Sequence, residues 1–292
     1  MHYKDFLNLF ICPLCKRKII YEQKSKHLKC ASCSHTFPII DGIVDAFVPI
    51  EGLKTFNIKL AERYEHWGQF VNRGESDKRR KNITVDLVEG NLLLEIGCAE
   101  GFMTFDLAKK VPHVIASDIS LSYLKRAKAE VPRANFTRLD IHNIPFGDNA
   151  FDCLVCTEVL EHVLSPLRAL EEMNRVLKSD GFLVLSVPNG MTFPRIFAHM
   201  FRKKDSLIGF PGAHINFYDT GSLLQILEIA GFTANVVTTN YVPLPLVGRI
   251  MGKVFPYLGR VTIVKAFKKR IDYWEKLDTI LGQREDRGES IT

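Results

Sequence analysis

The chain has 292 residues and a mass of 33.2 kDa, enough for one large domain and a small one but not for two of full size. Hydrophobic residues make up 46% and charged residues 25%, with a mean hydropathy of zero, so we expect a globular protein rather than a disordered or fibrous one. The net charge is +6, and the basic excess lies at the ends, about +3 in residues 1–56 and about +4 in residues 241–292.

The first 33 residues contain four of the seven cysteines, arranged as two C-x-x-C pairs, Cys12/Cys15 and Cys30/Cys33. Each pair fits a tight turn, and two such turns supply the four thiolates that a tetrahedral Zn²⁺ prefers. A site with four protein ligands has no open position, so the zinc is predicted to be structural. We therefore predict a β-rich zinc ribbon over residues 1–50. The alternatives are four unligated thiols, or His35 as a competing ligand.

Residues 51–90 change character and predict a helical linker, because KLAERYEHWGQFV has apolar residues at helical spacing. The charge run Lys78-Arg79-Arg80-Lys81 is interpreted as a solvated helix face.

From Leu92 onward, short apolar strands alternate with longer amphipathic segments, as in LLLEI, FDLAKKV, HVIASD and SYLKRAKAEV. This alternation predicts a doubly wound α/β domain with a parallel sheet, assigned to residues 91–240. Residues 241–292 are assigned to a C-terminal extension containing a strand and a helix. A third C-x-x-C pair, Cys153 and Cys156, lies within an apolar strand and is predicted to pack in the core.

Acidic residues end three successive predicted strands beside a glycine turn. Glu95 precedes Gly97 and Gly101, whereas Asp118 and Asp140 end the next two strands. A glycine turn allows close backbone approach, and a carboxylate at a strand end can accept both ribose hydroxyls. The crevice lacks a phosphate-binding Lys-Ser/Thr, so it fits a cationic, ribose-bearing ligand better than a pyrophosphate. A dinucleotide-binding dehydrogenase is the weaker alternative.

Residues 92–188 resemble the class I S-adenosylmethionine-dependent methyltransferases, of the type 11, ubiquinone-pathway-like kind. The resemblance rests on E-I-G-C-A-E-G, on L-D-I-H-N-I-P-F-G-D-N-A-F-D, and on E-V-L-E-H-V followed by N-R-V-L-K-S-D-G-F-L-V-L-S-V-P-N. It implies a Rossmann-like fold and S-adenosylmethionine as cofactor. The N-terminal C-P-x-C, C-x-x-C and F-P-I-I-D-G-I resemble the zinc-ribbon modules that accompany methyltransferases.

The resemblance also implies roles for individual residues. Those expected to bind the cofactor are Glu95 and Gly97 at the methionine portion, Asp118 at the ribose, Asp140 and Ile141 at the adenine, Thr157 and Glu158 beneath the methyl donor, and Ala99, Gly101 and Ile119 in the same turns. Ala99 stands where many relatives have glycine.

Candidate catalytic residues follow the fourth strand. Glu158, Glu161 and His162 have i, i+3, i+4 spacing, which would bring them near one face of a helix, and His214 lies on a predicted loop. E-x-x-E-H with a later histidine resembles the small-RNA ribose methyltransferases and the ubiquinone-pathway O-methyltransferases, which hold a divalent metal there. The alternative to metal binding, which the sequence favours, is that E-V-L-E-H-V is the helix start common to this family. Glu161 and His162 would then make local hydrogen bonds. Glu161, His162 and His214 are the catalytic candidates.

The acceptor is predicted to be a small molecule, a glycan or a lipid-linked compound, methylated on oxygen, because residues 188–232 resemble the acceptor insert of enzymes acting on such substrates. RNA is the alternative, since a zinc ribbon ahead of a methyltransferase also resembles ribosomal guanine methyltransferases and both ends are basic. A scaffold protein without activity is a third possibility, against which the intact cofactor motifs argue.

The predicted location is the cytoplasm. The opening MHYKDFLNLFIC is not a convincing signal peptide, and no run reaches the roughly 18 to 20 apolar residues of a membrane-spanning helix. Residues 242–274 are basic, apolar and aromatic, so peripheral contact with a membrane surface is one interpretation and a packed strand and helix the other.

Overall fold

A computed structural model describes residues 2–66, 74–190, 214–239 and 259–269. Its helices are α1 (Tyr3–Leu7), α2 (Lys54–Glu65), α3 (Glu75–Leu87), α4 (Thr104–Lys110), α5 (Leu121–Glu130), α6 (Pro166–Val176) and α7 (Thr220–Ile229), with a 3₁₀ turn at Leu160–His162. Its strands are β1 (Ile19–Glu22), β2 (His27–Cys30), β3 (Thr36–Ile40), β4 (Ile43–Asp45), β5 (Leu92–Ile96), β6 (His113–Asp118), β7 (Asn135–Arg138), β8 (Phe151–Thr157), β9 (Leu177–Pro188), β10 (Phe232–Thr239) and β11 (Val261–Lys268).

These strands follow one another across a continuous sheet in the order β1-β2-β3-β4-β7-β6-β5-β8-β9-β11-β10. The six from β4 to β9 are parallel neighbours, as predicted for a doubly wound domain. β11 pairs antiparallel with both β9 and β10, and β1 to β4 are antiparallel neighbours, so the sheet is mixed rather than wholly parallel. The Rossmann-like class is confirmed, with antiparallel strands at both ends.

Two apolar clusters cover the two faces of the sheet. One face packs against α6, α7 and α1, and the other against α3, α4 and α5. Cys156 belongs to the first cluster and Cys153 to the second, and both are fully buried. This confirms that the third C-x-x-C pair is core packing, because residues three apart in a strand point to opposite faces.

The N-terminal module continues the sheet of the large domain instead of standing apart from it. A two-residue turn at Asp41 and Gly42, with φ of 52° and 73°, joins β3 to β4, and β4 then pairs in parallel with β7. Gly42 suits this left-handed turn. The ring of Phe146 packs at a tilt against Phe10 and edge-on against Phe151, with centroids 4.7 and 5.1 Å apart. The module is therefore joined to the domain by both backbone and core contacts.

The predicted linker contains α2 and α3, and the predicted C-terminal extension contributes β11. The domain boundaries at residues 50, 90 and 240 stay predictions. Within residues 242–274, residues 261–268 form β11, which agrees with the interpretation of this stretch as a packed strand. Residues 242–258 and 270–274 lie outside the described residues. Residues 191–213 of the predicted acceptor insert also lie outside them. Among the described residues, no helix is both long and apolar enough to span a membrane.

Candidate active site

A pocket of about 180 Å³ opens at the carboxyl ends of β5, β6, β7 and β8, where the sequence places its acidic crevice. Parallel strands meet at this edge, so residues distant in sequence line one cavity. The lining residues are Asn57, Leu60, Tyr64, Ile96, Gly97, Ala99, Ser117, Asp118, Ile119, Tyr123, Leu139, Asp140, Ile141, His142, Glu158, Val159, His162 and Val163.

The glycine turn after β5 forms the floor of the pocket. Gly97 has φ of 77°, and a Cβ built there would lie 2.2 Å from Cγ2 of Val159, so both conformation and space require glycine. Ala99 adopts φ of 45°, a left-handed conformation that an alanine rarely takes. Its N–H donates to Oδ2 of Asp118 at 2.9 Å. The turn is thus tied to the next strand end.

Asp118 is buried at the end of β6 and accepts a second hydrogen bond, at Oδ1, from the N–H of Ser120 at 2.9 Å. Burial raises the pKa of Asp118 to about 6, against the lowering effect of these backbone donors. The carboxylate lines the pocket at the carboxyl end of β6.

Glu95 lies behind the glycine turn and is not a lining residue of the pocket. Its Oε2 accepts a 2.6 Å hydrogen bond from the hydroxyl of Thr104, the first residue of α4. Burial raises the pKa of Glu95 to about 7. This carboxyl therefore connects β5 to the beginning of α4 from below.

Asp140 lies in a buried polar cluster at the far side of the pocket. Its Oδ1 accepts from the backbone N–H of His142 at 3.0 Å and lies 2.7 Å from Nδ1 of the same residue, while Oδ2 accepts from Nδ2 of Asn57 at 2.7 Å. Nδ2 of Asn57 also lies 3.2 Å from Nδ1 of His142, and Nε2 of this imidazole is buried with no hydrogen-bond partner among the described residues. Neither Asn57 nor His142 was recognised from the sequence.

Helix α2 covers the pocket with Asn57, Leu60 and Tyr64. Its last residue, Glu65, accepts hydrogen bonds from the backbone N–H groups of Leu121 and Ser122 at the beginning of α5. The sequence indicated a helix here from its apolar spacing but gave no sign that the helix covers a site. This contact depends on chain segments more than 50 residues apart.

Glu158 has φ of 56°, and its carboxylate is held from two sides. Oε1 accepts from the hydroxyl of Ser186 at 3.0 Å, and Oε2 forms a 3.1 Å ion pair with Arg80. The side chain of Arg80 is only 11% exposed, and Lys81 pairs with Asp106 at 2.5 Å. The solvated-face interpretation of the charge run is therefore wrong for these two residues, since their partners are acids of the large domain.

Glu161, His162 and His214 come together beside the pocket, with their ligand atoms all within 4.8 Å of one another. The residues Leu160–His162 form a 3₁₀ turn, so an α-helical face does not explain the grouping. The carbonyl of Glu161 instead accepts from the N–H groups of Ile215 and Asn216, which brings His214 alongside, with the two imidazole centroids 4.8 Å apart. Glu158 is not part of this group.

The carboxyl of Glu161 is buried, and its Oε2 has no hydrogen-bond partner among the described residues. Burial, followed by the neighbouring Glu158, raises the pKa of Glu161 well above its usual range. A cation lying against such a carboxyl favours its ionised form. Two imidazoles and an unpartnered carboxyl oxygen are a donor set that fits a divalent cation.

The four N-terminal cysteines form the second cluster. The sulfurs of Cys12 and Cys33 lie 3.6 Å apart and those of Cys15 and Cys30 lie 3.4 Å apart. A zinc ion with tetrahedral Zn–S bonds of about 2.3 Å places its sulfurs about 3.8 Å apart, so the set fits. Backbone N–H bonds from Cys33 and Ser32 lower the pKa of the Cys30 thiol to about 6, which favours a thiolate, whereas burial raises the pKa of the Cys12 thiol to about 12. His35 packs on Phe37 instead.

The structure thus brings together seven of the ten residues expected to bind the cofactor, as pocket lining: Gly97, Ala99, Asp118, Ile119, Asp140, Ile141 and Glu158. Glu95, Gly101 and Thr157 lie outside the lining. Of the catalytic candidates, His162 lines the pocket, and Glu161 and His214 lie beside it.

Two family models match the chain. Residues 94–185 match the methyltransferase domain, and residues 4–42 match the Trm112p-like protein. Among curated relatives, the demethylmenaquinone methyltransferase of Paenarthrobacter aurescens is 33% identical over 130 residues, covering 44% of this chain and 51% of the relative. The uncharacterized protein MJ0638 of Methanocaldococcus jannaschii is 32% identical over 193 residues, covering 66% of this chain and 72% of the relative. The chain thus spans about half the length of the first relative.

Solved structures show the same fold at low identity. The YcgJ protein of Bacillus subtilis has a TM-score of 0.52 at 14% identity, covering 66% of this chain and all of that one. A chain in a complex of a Haloferax volcanii Trm112 methyltransferase activator with a methyltransferase also has a TM-score of 0.52 at 14% identity, covering 76% and 97%. With the glycine turn, the strand-end acids and the family matches in agreement, this chain belongs to the S-adenosylmethionine-dependent methyltransferases and carries a Trm112p-like module at its N-terminal end.

Proposed function

We propose that this enzyme transfers the methyl group of S-adenosylmethionine to a hydroxyl oxygen of a small or lipid-linked acceptor with an apolar body. In such a transfer the acceptor oxygen attacks the methyl carbon as the C–S bond breaks, which leaves S-adenosylhomocysteine. The hydroxyl proton must pass to a base. The protein therefore needs a pocket for the cofactor, a base at its mouth and a surface that aligns the acceptor.

The main support for an acceptor with an apolar body is the apolar surface beside His162 and His214. Leu164, Ile215 and Phe217 are 44%, 42% and 52% exposed. They lie on two segments joined by Asn216, whose Nδ2 donates to the carbonyl of Val163 at 2.6 Å. Large exposed apolar side chains next to a site mark a surface for an apolar ligand. A relative named demethylmenaquinone methyltransferase supports the same class.

We assign the base to His162, which lines the pocket and packs against both His214 and Tyr64, with ring centroids 4.8 and 6.2 Å away. An imidazole titrates near neutral pH, so it can accept the hydroxyl proton as the oxygen–carbon bond forms. Glu161, His162 and His214 are the residues that would hold a divalent cation, which would supply a lowered pKa to a coordinated hydroxyl. The two arrangements differ in their dependence on metal.

The test compares His162→Ala with a His35→Ala control in the N-terminal module. We expect His162→Ala to keep its affinity for S-adenosylhomocysteine within about twofold by calorimetry, and to lose about 100-fold or more in the transfer of tritiated methyl to a lipid extract. His35→Ala should match the wild type in both. Equal losses of binding and transfer in His162→Ala would remove the base assignment. Loss of wild-type transfer on adding a chelator, restored by Mg²⁺ or Mn²⁺, would favour the cation.

RNA is the second candidate, and the Trm112p-like module together with the basic ends supports it. Among the described residues, those that line the pocket include no lysine or arginine, which favours an uncharged acceptor over a phosphate backbone. Labelled methyl groups entering RNA rather than lipid in the same extract, with RNA binding that weakens steeply as salt rises, would establish this candidate instead.

The Trm112p-like module suggests a supporting role toward the methyltransferase domain. In the Haloferax volcanii complex, a protein described as a Trm112 methyltransferase activator is bound to a separate methyltransferase. We propose that the module supports the catalytic domain within this chain, through β4 and the Phe10–Phe146 contact. We also propose that the enzyme acts in the cytoplasm, where thiolate zinc sites are stable.

A further inference from the structure

We propose that Lys16, in the first cysteine turn, is a positioning residue for the cofactor pocket: it fixes the loop that carries Asp140 and His142. This inference rests on the proposed supporting role of the module and names the residue through which the module reaches the pocket.

Lys16 follows Cys15 directly and has a left-handed φ of 56°. Its N–H donates to the carbonyl of Cys12 at 2.8 Å, which closes the cysteine turn. From this turn its Nζ reaches the large domain, donating to Oδ1 of Asn143 at 2.7 Å and lying 3.5 Å from Oε2 of Glu172. The shape of the cysteine turn therefore determines where this ammonium lies.

Asn143 belongs to the loop that lines the pocket. Its N–H donates to the carbonyl of Asp140 at 3.0 Å, so its backbone position depends directly on that of the strand-end acid. Its side chain is buried and is held only by the N-terminal part of the chain among the described residues, through Lys16 and through the carbonyl of Val48 at 3.2 Å.

The large domain holds the other side of the same loop. Glu172 of α6 accepts the N–H of Ile144 at 2.9 Å, and Arg175 donates to the carbonyl of Ile144 at 2.9 Å. The backbone N–H of Ile11 adds a 3.0 Å bond to the carbonyl of Pro145. The loop after Asp140 is therefore clamped between α6 and the module.

This arrangement gives the zinc site a route to the cofactor. If the cysteine turn relaxes, Lys16 withdraws from Asn143, and the loop keeps its contacts to α6, Val48 and Ile11 but loses its charge-assisted hydrogen bond to the module. A binding site whose loop is less well fixed binds its ligand more weakly, because ordering the loop then costs binding free energy. The expected effect falls on cofactor affinity rather than on the fold.

The test compares Lys16→Met with Lys18→Met, an exposed lysine of the same module. We expect Lys16→Met to weaken S-adenosylhomocysteine binding by about threefold to tenfold in calorimetry, the range for a charge-assisted hydrogen bond of a half-exposed lysine. Zinc content and melting temperature should match those of Lys18→Met, and Lys16→Arg should restore most of the affinity. Equal affinities in the two methionine variants would overturn the proposal.

A double-mutant cycle with Asn143→Ala tests the route itself. If Lys16 acts through Asn143, adding Lys16→Met to Asn143→Ala weakens binding by less than about twofold further. Additive losses would overturn the assigned route. A Cys33→Ser variant separates this inference from the proposed supporting role of the module. If the module does not support the catalytic domain, Cys33→Ser will have the melting temperature and cofactor affinity of the wild type. If the module does support it but not through Lys16, Cys33→Ser will be impaired and Lys16→Met will bind the cofactor normally.

Discussion

Gly97 lies in the glycine turn after β5, where the side chain of Val159 packs directly against its backbone. We expect Gly97→Ala to destabilise the protein by at least about 2 kcal/mol, since a Cβ would meet Val159 at 2.2 Å and the residue would keep a left-handed φ. Calorimetry should show that S-adenosylhomocysteine binding is lost as well.

The matched control is Val159→Ala, alone and combined with Gly97→Ala. The double variant should regain part of the lost stability, because the smaller side chain removes the clash while the backbone cost remains. A Gly97→Ala variant as stable as the wild type would contradict this account of the turn.

Glu95 predicts a pH dependence of stability in the cofactor-free protein. Burial raises its pKa to about 7 from 4.5, so between these values the folded protein holds a proton that the unfolded chain has released. Stability contributed by the neutral carboxyl is therefore lost as pH rises from about 4.5 through about 7, by up to about 3 kcal/mol. Asp118, with a pKa raised to about 6, adds a change of the same sign.

Denaturant unfolding of the cofactor-free protein at several pH values between 4.5 and 7.5 measures this slope. Glu95→Gln should flatten it, whereas the exposed Glu62→Gln should leave it unchanged. A slope identical in all three proteins would show that Glu95 ionises normally.

The pocket residues that could be predicted from the sequence were those whose position follows from the neighbouring residues. Gly97 and Asp118 were identified because a turn requires glycine and because a strand end presents its last side chain to the crevice. Asn57 and Arg80 were missed because their partners lie 78 to 85 residues away, and no local pattern records such a contact. His142 was missed although its partner Asp140 lies two residues earlier, because the sequence does not show that both side chains are buried together.

At the scale of elements, the carboxylate of Glu65 links the end of α2 to the beginning of α5, beside a ring contact between Tyr64 and Tyr123. Glu65 accepts two N–H groups at the beginning of α5, where the helix dipole favours negative charge. We expect Glu65→Ala to lower the free energy of unfolding by about 1–2 kcal/mol, and to weaken cofactor binding because α2 covers the pocket. Denaturant unfolding and calorimetry measure both.

Glu62→Ala is the matched control, one turn earlier on the exposed side of the same helix. It should be close to the wild type in both measurements. If Glu62→Ala and Glu65→Ala gave equal effects, the attachment to α5 would not be the cause.

The alternation of strands and helices between Leu92 and Pro188 was predictable, because buried parallel strands appear as short apolar runs. The 3₁₀ turn at Leu160–His162 was not, since its grouping with His214 depends on backbone bonds to Ile215 and Asn216 rather than on helical spacing. The position of β11 between β9 and β10 could not be predicted either, because the residues of a strand do not show which strands it pairs with.

At the scale of the whole molecule, the N-terminal module and the large domain share one sheet through β4 and β7. We therefore expect Cys33→Ser to lower the stability of the entire chain in one cooperative transition, by roughly 3 kcal/mol or more, rather than to melt the module alone. Scanning calorimetry and the release of zinc to a chromogenic chelator report the two quantities.

Ser32→Ala, at an exposed position between the second pair of cysteines, is the control and should keep both its zinc and its transition. Two separate transitions in Cys33→Ser would show that the shared sheet does not couple the module to the domain.

The strand order also has a consequence for biosynthesis on the ribosome. β4 emerges some 90 residues before its partner β7, and β9 and β10 wait for β11, which is made about 30 residues after Phe232. Until then the nascent chain presents unpaired strand edges, which are prone to association with other chains. An early zinc-bound turn would hold the first of these edges in a compact form, so metal supply during translation would influence the yield of folded protein.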